Sequence, residues 1–350
     1  MKDGPILVTG GAGFIGSNLA ARYLSRGYRV RVLDNLSRRG TTENLQWLRA
    51  VPGGALEFIQ GDVRDYSLVK LAAADVQMAI HMASQVAVTT SISDPRLDFE
   101  VNTLGTFNLL EAVRSAGRQA TIIFASTNKV YGGMDGVVVQ RGENGYSYRD
   151  LPYGVSEVQP LDFHSPYGCS KGSADQYVRD YHRIYGIPTV VFRQSCVCGP
   201  RQLGNENQGW LAHFALSALA GRPVTIYGDG YQVRDILYVD DLVRAVDLAA
   251  ERIRVVAGEV YNIGGGPENA LSLSGLVRLL EDRLGARLSV QWADWRPGDQ
   301  RVYVSDTRKA KHELGWSPTV GTREAVHRLV AWLEENPWVV RLPEGAGASF

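Results

Sequence analysis

A short apolar run, Ile6-Leu7-Val8, is followed at once by Gly10-x-x-Gly13-x-x-Gly16, and this stretch limits the fold more than any other. So brief a run of aliphatic residues reads as a buried strand. After the glycines, Ile15, Leu19, Ala20, Tyr23 and Leu24 recur at helical spacing, and Gly27 closes the helix. Glycines between a strand and a helix let the backbone approach a pyrophosphate, which the helix N-terminus stabilises with free N–H groups. A tight structural turn would use the same glycines, but the strand before and the amphipathic helix after favour a bound dinucleotide. Gly10, Gly13, Phe14, Ile15 and Gly16 are therefore candidate cofactor contacts.

Arg29-Val30-Arg31-Val32-Leu33 reads as the second strand, ended by Asp34. A carboxylate about 20 residues past such glycines can accept from ribose hydroxyls and repels a 2′-phosphate, so NAD is favoured over NADP. Arg38 and Arg39 work against that preference, since an arginine can bind the phosphate, and Asp34 can also be a plain turn residue. Asn35, Ser37 and Arg38 extend the candidate set. Leu56–Ile59 leads into Asp62 and Val63, which can flank an adenine edge. Val76 to Met82 forms a fourth strand, with Met82, Ala83 and Gln85 at its exit. His81 has no metal-binding partners nearby and reads as a core histidine. A helix from Phe99 to Gly117 carries Asn102, and Thr121–Ala125 is a fifth strand. Strands alternating with helices predict an α/β chain built on a doubly wound parallel (Rossmann) sheet, with ligands at the strands' carboxyl ends.

Thr127 leaves the fifth strand at that end, where its hydroxyl can donate to a reacting oxygen. Residues 132–163 are Gly- and Tyr-rich without clear period and read as a long loop, a length that in compact domains usually serves function. Tyr167 and Lys171 then sit four apart on a helix opened by Pro166 and ended by Gly186, so they share a face. An ammonium beside a phenol favours the phenolate, which would let Tyr167 act as acid or base below its free pKa of about 10. Alone, Tyr-x-x-x-Lys is a weak signal. A sixth strand, Thr189–Arg193, follows.

Beyond Gly199-Pro200 the alternation stops. Helices near 210–220, 238–250, 273–284 and 323–334, a Gly228-Asp229-Gly230 turn and a strand at Val260–Ile263 predict a smaller α/β substrate-binding lobe closing over the crevice. The expected division is 1–195 plus about 236–265 for the NAD-binding domain, about 196–235 plus 266–335 for the lobe, and 336–350 as a mobile tail from Pro343.

The chain has 350 residues, and Lys+Arg 37 balances Asp+Glu 37. Zero net charge argues against a nucleic-acid or membrane surface as main partner. No apolar run reaches membrane-spanning length, and a start without a signal-peptide core points to the cytoplasm. Cys196-x-Cys198 lacks a second ligand pair and Cys169 stands apart, so reduced thiols and no metal are expected.

Together, the glycines, Asp34, Thr127, Tyr167 and Lys171 resemble the extended short-chain dehydrogenase/reductase family. Its NAD-dependent nucleotide-sugar epimerases and dehydratases share Gly199-Pro200-Arg201, Gln232-Val233-Arg234-Asp235, Asn262-Ile263-Gly264 and Leu314-Gly315-Trp316-Ser317-Pro318. The likeness runs to about residue 335. It implies NAD+ as cofactor, a nucleotide-diphosphate sugar as substrate, Thr127, Tyr167 and Lys171 as catalytic residues, and a homo-oligomer, dimer or tetramer. The helices near 102–117 and 170–185 are the pairing candidates.

Dehydratases of the family carry an Asp-Glu pair after the threonine; here Asn128 and Lys129 stand there, which disfavours elimination. Ser126–Gly132, His164–Lys171, Gln208-Gly209-Trp210 and Asp299–Val302 are similar to the members that invert C2 of a CDP-hexose. The implied substrate contacts are Gln85, Asn128, Lys129, His164, Cys196 and Gln208, with Arg234 and Arg301 on the diphosphate. Cys198 replaces a usual tyrosine, and Cys196 a usual asparagine. A UDP-sugar 4-epimerase would use the same catalytic residues, and a non-catalytic dinucleotide-binding protein is the reading from another class.

Overall fold

Seven parallel strands form the central sheet of the computed structural model, which describes residues 4–117, 120–296 and 299–341. They are β1 (Ile6–Thr9), β2 (Val30–Asp34), β3 (Leu56–Gln60), β4 (Met78–His81), β5 (Thr121–Thr127), β6 (Thr189–Gln194) and β7 (Val260–Ile263). Their spatial order is β7-β6-β5-β4-β1-β2-β3. The order runs outward from β1 one way and from β4 the other, so a crevice opens between them at the carboxyl ends.

The longer helices are α1 (Phe14–Ser25), α2 (Thr41–Ala50), α3 (Tyr66–Ala73), α4 (Gly105–Ser115), α5 (Ser165–Tyr185), α6 (Trp210–Leu219), α7 (Val239–Glu251), α8 (Leu273–Leu284) and α9 (Thr322–Glu335). Leu19, Ala20 and Leu24 of α1 and Leu242, Val246 and Ala249 of α7 cover one face of the sheet. Val69, Leu109, Leu110, Val113, Ala174 and Val178, from α3, α4 and α5, cover the other. Cover on both faces explains why the strands read as unbroken apolar runs. Trp316, fully buried, donates from Nε1 to the Asp241 carbonyl at 2.8 Å and fastens the Leu314–Pro318 segment to α7.

The lobe packs α6, α8 and α9 around two parallel strands, Val224–Tyr227 and Val290–Ala293. Strand Val233–Tyr238 joins it to the sheet domain. Its first half pairs with Ala270–Ser272 and Val302–Tyr303, its second half with Cys196–Cys198.

Three expectations are corrected. Residues 132–163 are not all loop: Val139–Gly142 and Gly145–Tyr148 form an antiparallel hairpin. Tyr148 of that hairpin joins a small buried cluster with Val233, Val302 and Tyr303, and Val139 and Tyr146 pack against it. The helix expected from Phe99 begins earlier, at Pro95, and passes through a π-helical turn, Glu100–Leu104, before α4. The region assigned to a tail begins with a short helix, Trp338–Arg341, whose Val339 is buried against the lobe. The mobile tail from Pro343 lies outside the described residues.

Candidate active site

The glycine turn joins β1 to α1. Gly10 has φ +64°, and a Cβ there would lie 2.7 Å from the Ala83 nitrogen at the exit of β4. At Gly16 a Cβ would lie 2.1 Å from the Gly10 carbonyl oxygen. These two glycines close the turn on itself. Gly13 meets only the Gly10 carbonyl, at 3.2 Å, and caps α1 with no side chain over its first N–H groups. The cradle fits a pyrophosphate. Gly10→Ala is expected to weaken NAD binding about tenfold, from left-handed strain and the Ala83 clash. The NAD content of the purified variant checks this.

Asp34 is buried at the end of β2. Its carboxylate accepts from the Ala12 amide at 3.0 Å and the Leu36 amide at 2.8 Å, tying the glycine turn to the strand end. Burial raises its carboxyl above the ordinary range, and these hydrogen bonds pull it back. Asn35 donates to Asp62 at 2.9 Å, and the Ser37 amide donates to Asn35. Asp62 is held by Arg64 through two bonds of 2.9 Å, so its carboxylate is already engaged beside the buried Val63. Arg38 reaches across the crevice to the Ser84 carbonyl at 3.4 Å.

Met82 and Ala83 run past Thr9, whose carbonyl accepts from Met82 and whose hydroxyl accepts from Ala83. His81 lies buried between the Thr9 and Thr106 hydroxyls, at 2.6 and 3.0 Å. Burial and the Lys171 charge press it down to about 3, so it is a neutral core histidine, as expected. Gln85 is corrected: its amide spans Ala87 and Asp98 inside the protein, with both ends used. Asn102, on the π turn, bonds Ser84, Gln85, Asp98 and Ser170. Its side chain braces the site and has no free group for a cofactor.

β5 delivers Thr127 to the crevice, and α5 delivers Tyr167 and Lys171. Thr127 caps a short 3-10 turn, Asn128–Tyr131, by accepting from the Lys129 amide at 3.2 Å. Its hydroxyl lies within hydrogen-bonding reach of the Tyr167 phenol. Tyr167 and Lys171 are buried, and the Lys171 Nζ stands 4.3 Å from the centre of the Phe124 ring.

The expected ammonium-driven phenolate is not what these surroundings produce. Burial pushes the Tyr167 phenol up to about 12; Asp98 adds to this, while the Thr127 bond and the Arg38 charge oppose it. Burial also pushes Lys171 down to about 7, against the pull of Asp175 and Asp98. The phenol therefore rests protonated, while Lys171 titrates near neutrality. Phenol plus amine and phenolate plus ammonium hold the same number of protons, so a positive charge arriving beside the phenol tips the balance.

The Lys171 shift has a consequence for stability. A lysine whose folded pKa lies below its unfolded value penalises the folded state while charged. The penalty is full below about 7 and is relieved as pH rises towards 10.5. Nucleotide-free protein is expected to gain urea resistance across that window, and Lys171→Met to lose the gain. Equal slopes in both proteins would count against it.

A cavity of about 400 Å³ runs from Phe14 and Ile15 past Thr127 and Tyr167 into the lobe. Asn128, Lys129, Cys196, Gln208 and Arg234 line it. Lys129 donates to Gln300 at 3.3 Å, and burial and Arg234 lower it to about 8. Arg234 is braced by Asp299 at 2.7 Å. Burial holds the Cys196 and Cys198 thiols above their ordinary value, and Cys196 accepts from the Trp210 indole at 3.4 Å. Among the described residues no group of three His, Cys, Asp or Glu side chains could hold a metal ion.

His164 and Arg301 are not among the residues lining the cavity. His164 pairs with the exposed Asp162 at 3.0 Å, and Arg301 lies over the Tyr146 ring of the hairpin. Arg296, which the sequence reading passed over, lines the cavity instead and lies over the Tyr227 ring. Its place just before Pro297-Gly298 and Asp299, the partner of Arg234, was the available signal. Trp210, Phe214 and Tyr227 supply aromatic walls that only packing reveals.

Comparison with known proteins returns one family over nearly the whole chain, GDP-mannose 4,6 dehydratase, matching residues 7–329. CDP-paratose 2-epimerase of Salmonella typhi is 44% identical over 334 residues, 93% of this chain and 98% of the relative. UDP-glucose 4-epimerase of Thermotoga maritima, solved with UDP-glucose, superposes with TM-score 0.82 at 33% identity, over 95% of this chain and 99% of that one. The dTDP-glucose 4,6-dehydratase DesIV of Streptomyces venezuelae, solved with NAD, superposes with TM-score 0.82 at 34% identity, over 97% and 99%.

Proposed function

Since the chain belongs to the NAD-dependent epimerase and dehydratase family within the short-chain dehydrogenase/reductases, we propose that it is a nucleotide-sugar epimerase inverting C2 of a CDP-hexose. One observation carries the choice of epimerisation over dehydration. Tyr167 and Thr127 have Asn128 and Lys129 beside them, and the cavity's carboxylates are engaged in the lobe, Asp299 by Arg234 and Glu206 by Tyr227. An elimination needs an acid/base pair that this site lacks. The nucleotide and the carbon rest on the likeness to the Salmonella typhi enzyme.

Bound NAD+ would supply a reversible hydride acceptor carrying a positive charge. Gly10, Gly13, Gly16 and Asp34 would hold it, with Phe14 and Ile15 at the cavity end. Tyr167 takes the proton of the sugar hydroxyl at Oη, with Lys171 holding the resulting negative charge. Thr127 orients the same oxygen. When the keto sugar has turned over, its carbonyl carbon would take the hydride back on the other face as Tyr167 returns the proton to the oxygen, giving the opposite configuration. Arg234 and Arg296 suit the diphosphate oxygens, and Asn128, Lys129, Cys196 and Gln208 face the sugar and nucleoside.

Purified protein offered CDP-, UDP- and GDP-hexoses, with NMR of the products, tests the assignment. Inversion at C4 with none at C2 would replace it by the UDP-sugar 4-epimerase reading, which the Thermotoga maritima likeness favours. A homo-oligomer paired through α4 and α5 is part of the proposal. Phe107, Tyr177, Ile184 and Tyr185 leave apolar surface exposed on these helices. Mass photometry reading only monomer would remove it. No described helix is long and apolar enough to cross a membrane, and reduced thiols with a dinucleotide cofactor suit the cytoplasm.

A further inference from the structure

β6 ends in a residue that the mechanism above does not use. Gln194 closes an otherwise mostly apolar strand and is 8% exposed. It stands across from Thr127 in the parallel β5–β6 ladder, so the two side chains point to the same side of the sheet. Both line the crevice cavity with Tyr167, Lys129 and Cys196. The Gln194 Nε2 has no hydrogen-bond partner among the described residues. A buried amide N–H without an acceptor is costly, and such a group in a native protein calls for an explanation.

The neighbouring side chains do not provide it. Thr127 Oγ1 accepts from the Lys129 amide and lies within reach of Tyr167. Ser195 donates to Asp235, and Cys196 accepts from Trp210. Of three successive residues at the strand exit, two are turned to partners in the protein. The first lines the cavity with a donor unused.

We infer that Gln194 is a sugar-binding residue. Its Nε2 donates to a hexose oxygen at or next to the reacting carbon, holding the ring from β6 while Thr127 and Tyr167 hold it from β5 and α5. A neutral donor suits an oxygen that passes between hydroxyl and carbonyl, because it serves both states without a charge of its own. The inference rests on the nucleotide-sugar reading and adds the residue that grips the sugar itself. The competing acceptor is a carbonyl oxygen of the cofactor.

Gln194→Met keeps the volume and removes the donor; Gln194→Glu keeps the shape and removes it too. Calorimetry on NAD-loaded enzyme compares CDP-glucose with CDP, and UDP-glucose with UDP. The affinity gained from the sugar is expected to fall about tenfold in Gln194→Met, and further in Gln194→Glu. Nucleoside-diphosphate affinity, NAD content and melting temperature stay unchanged. With the hexose that the wild type converts, KM rises by a similar factor. A wild type that binds these sugars but converts none would sink the functional reading and leave this one standing. An unaltered sugar increment, no increment in the wild type, or lost NAD with the increment intact would overturn it.

Discussion

Tyr167→Phe is expected to lower kcat about 10³-fold, within the range for a lost general acid/base, while the variant stays folded and keeps its NAD. The phenol is buried at the start of α5 and its ring packs whether or not the oxygen is present. The Thr127 hydroxyl, within hydrogen-bonding reach of the phenol, keeps its bond from the Lys129 amide. The neutral His81 does not replace the phenol as proton acceptor, being enclosed by Thr9 and Thr106. Steady-state turnover and the absorbance of extracted NAD separate lost chemistry from lost binding. Near-wild-type kcat would remove the proton-transfer role from Tyr167.

Asp175→Asn is expected to be the most destabilising single change, costing about 3–5 kcal/mol because it strands a buried charge. Asp175 is fully buried and Arg193 nearly so. The carboxylate accepts from Arg193 at 2.9 and 3.0 Å and from Ser126 at 2.8 Å. With asparagine there, the guanidinium keeps its bond to Tyr131 at 3.2 Å but has no counter-charge. Urea unfolding measures the loss. The double variant Asp175→Leu, Arg193→Met is expected to recover much of it, since removing both partners leaves no buried charge. A loss under about 1 kcal/mol would show that the pair is replaceable by solvent. The same change touches the site: Tyr167, Lys171 and Asp175 occupy successive turns of one face of α5. Losing the Asp175 charge removes a support for the Lys171 ammonium, so the lysine titrates lower still.

The parts of this molecule governed by local chemistry were legible in the sequence. The glycine turn announces itself because Gly10 must adopt positive φ and Gly16 must admit a carbonyl oxygen. The sheet strands announce themselves because cover on both faces leaves apolar runs. Thr127, Tyr167 and Lys171 were found because strand end and helix spacing are short-range facts. What was misread depends on distant partners. The hairpin at Val139–Tyr148 is held by Val233, Val302 and Tyr303, far along the chain. Arg301 and Arg296 look alike in sequence, yet one lies over the hairpin and the other lines the cavity. Gln85 and Asn102 close their hydrogen bonds within the protein, which only the completed network reveals. Burial sets the Tyr167 and Lys171 protonation, and no four-residue spacing reports burial.

The return of the chain from the lobe to supply β7 sets an order of events during synthesis. β6 is buried along its whole length in the finished sheet. Its outer neighbour, Val260–Ile263, leaves the ribosome only after residues 196–235 have been made. Until then β6 is an open edge, a template for pairing with another chain. A nascent polypeptide arrested near residue 255 would carry that edge and a half-built lobe, so chaperone capture or aggregation should peak there. Fragments cut between the two lobes inherit the same fault, because neither lobe is a continuous piece of chain.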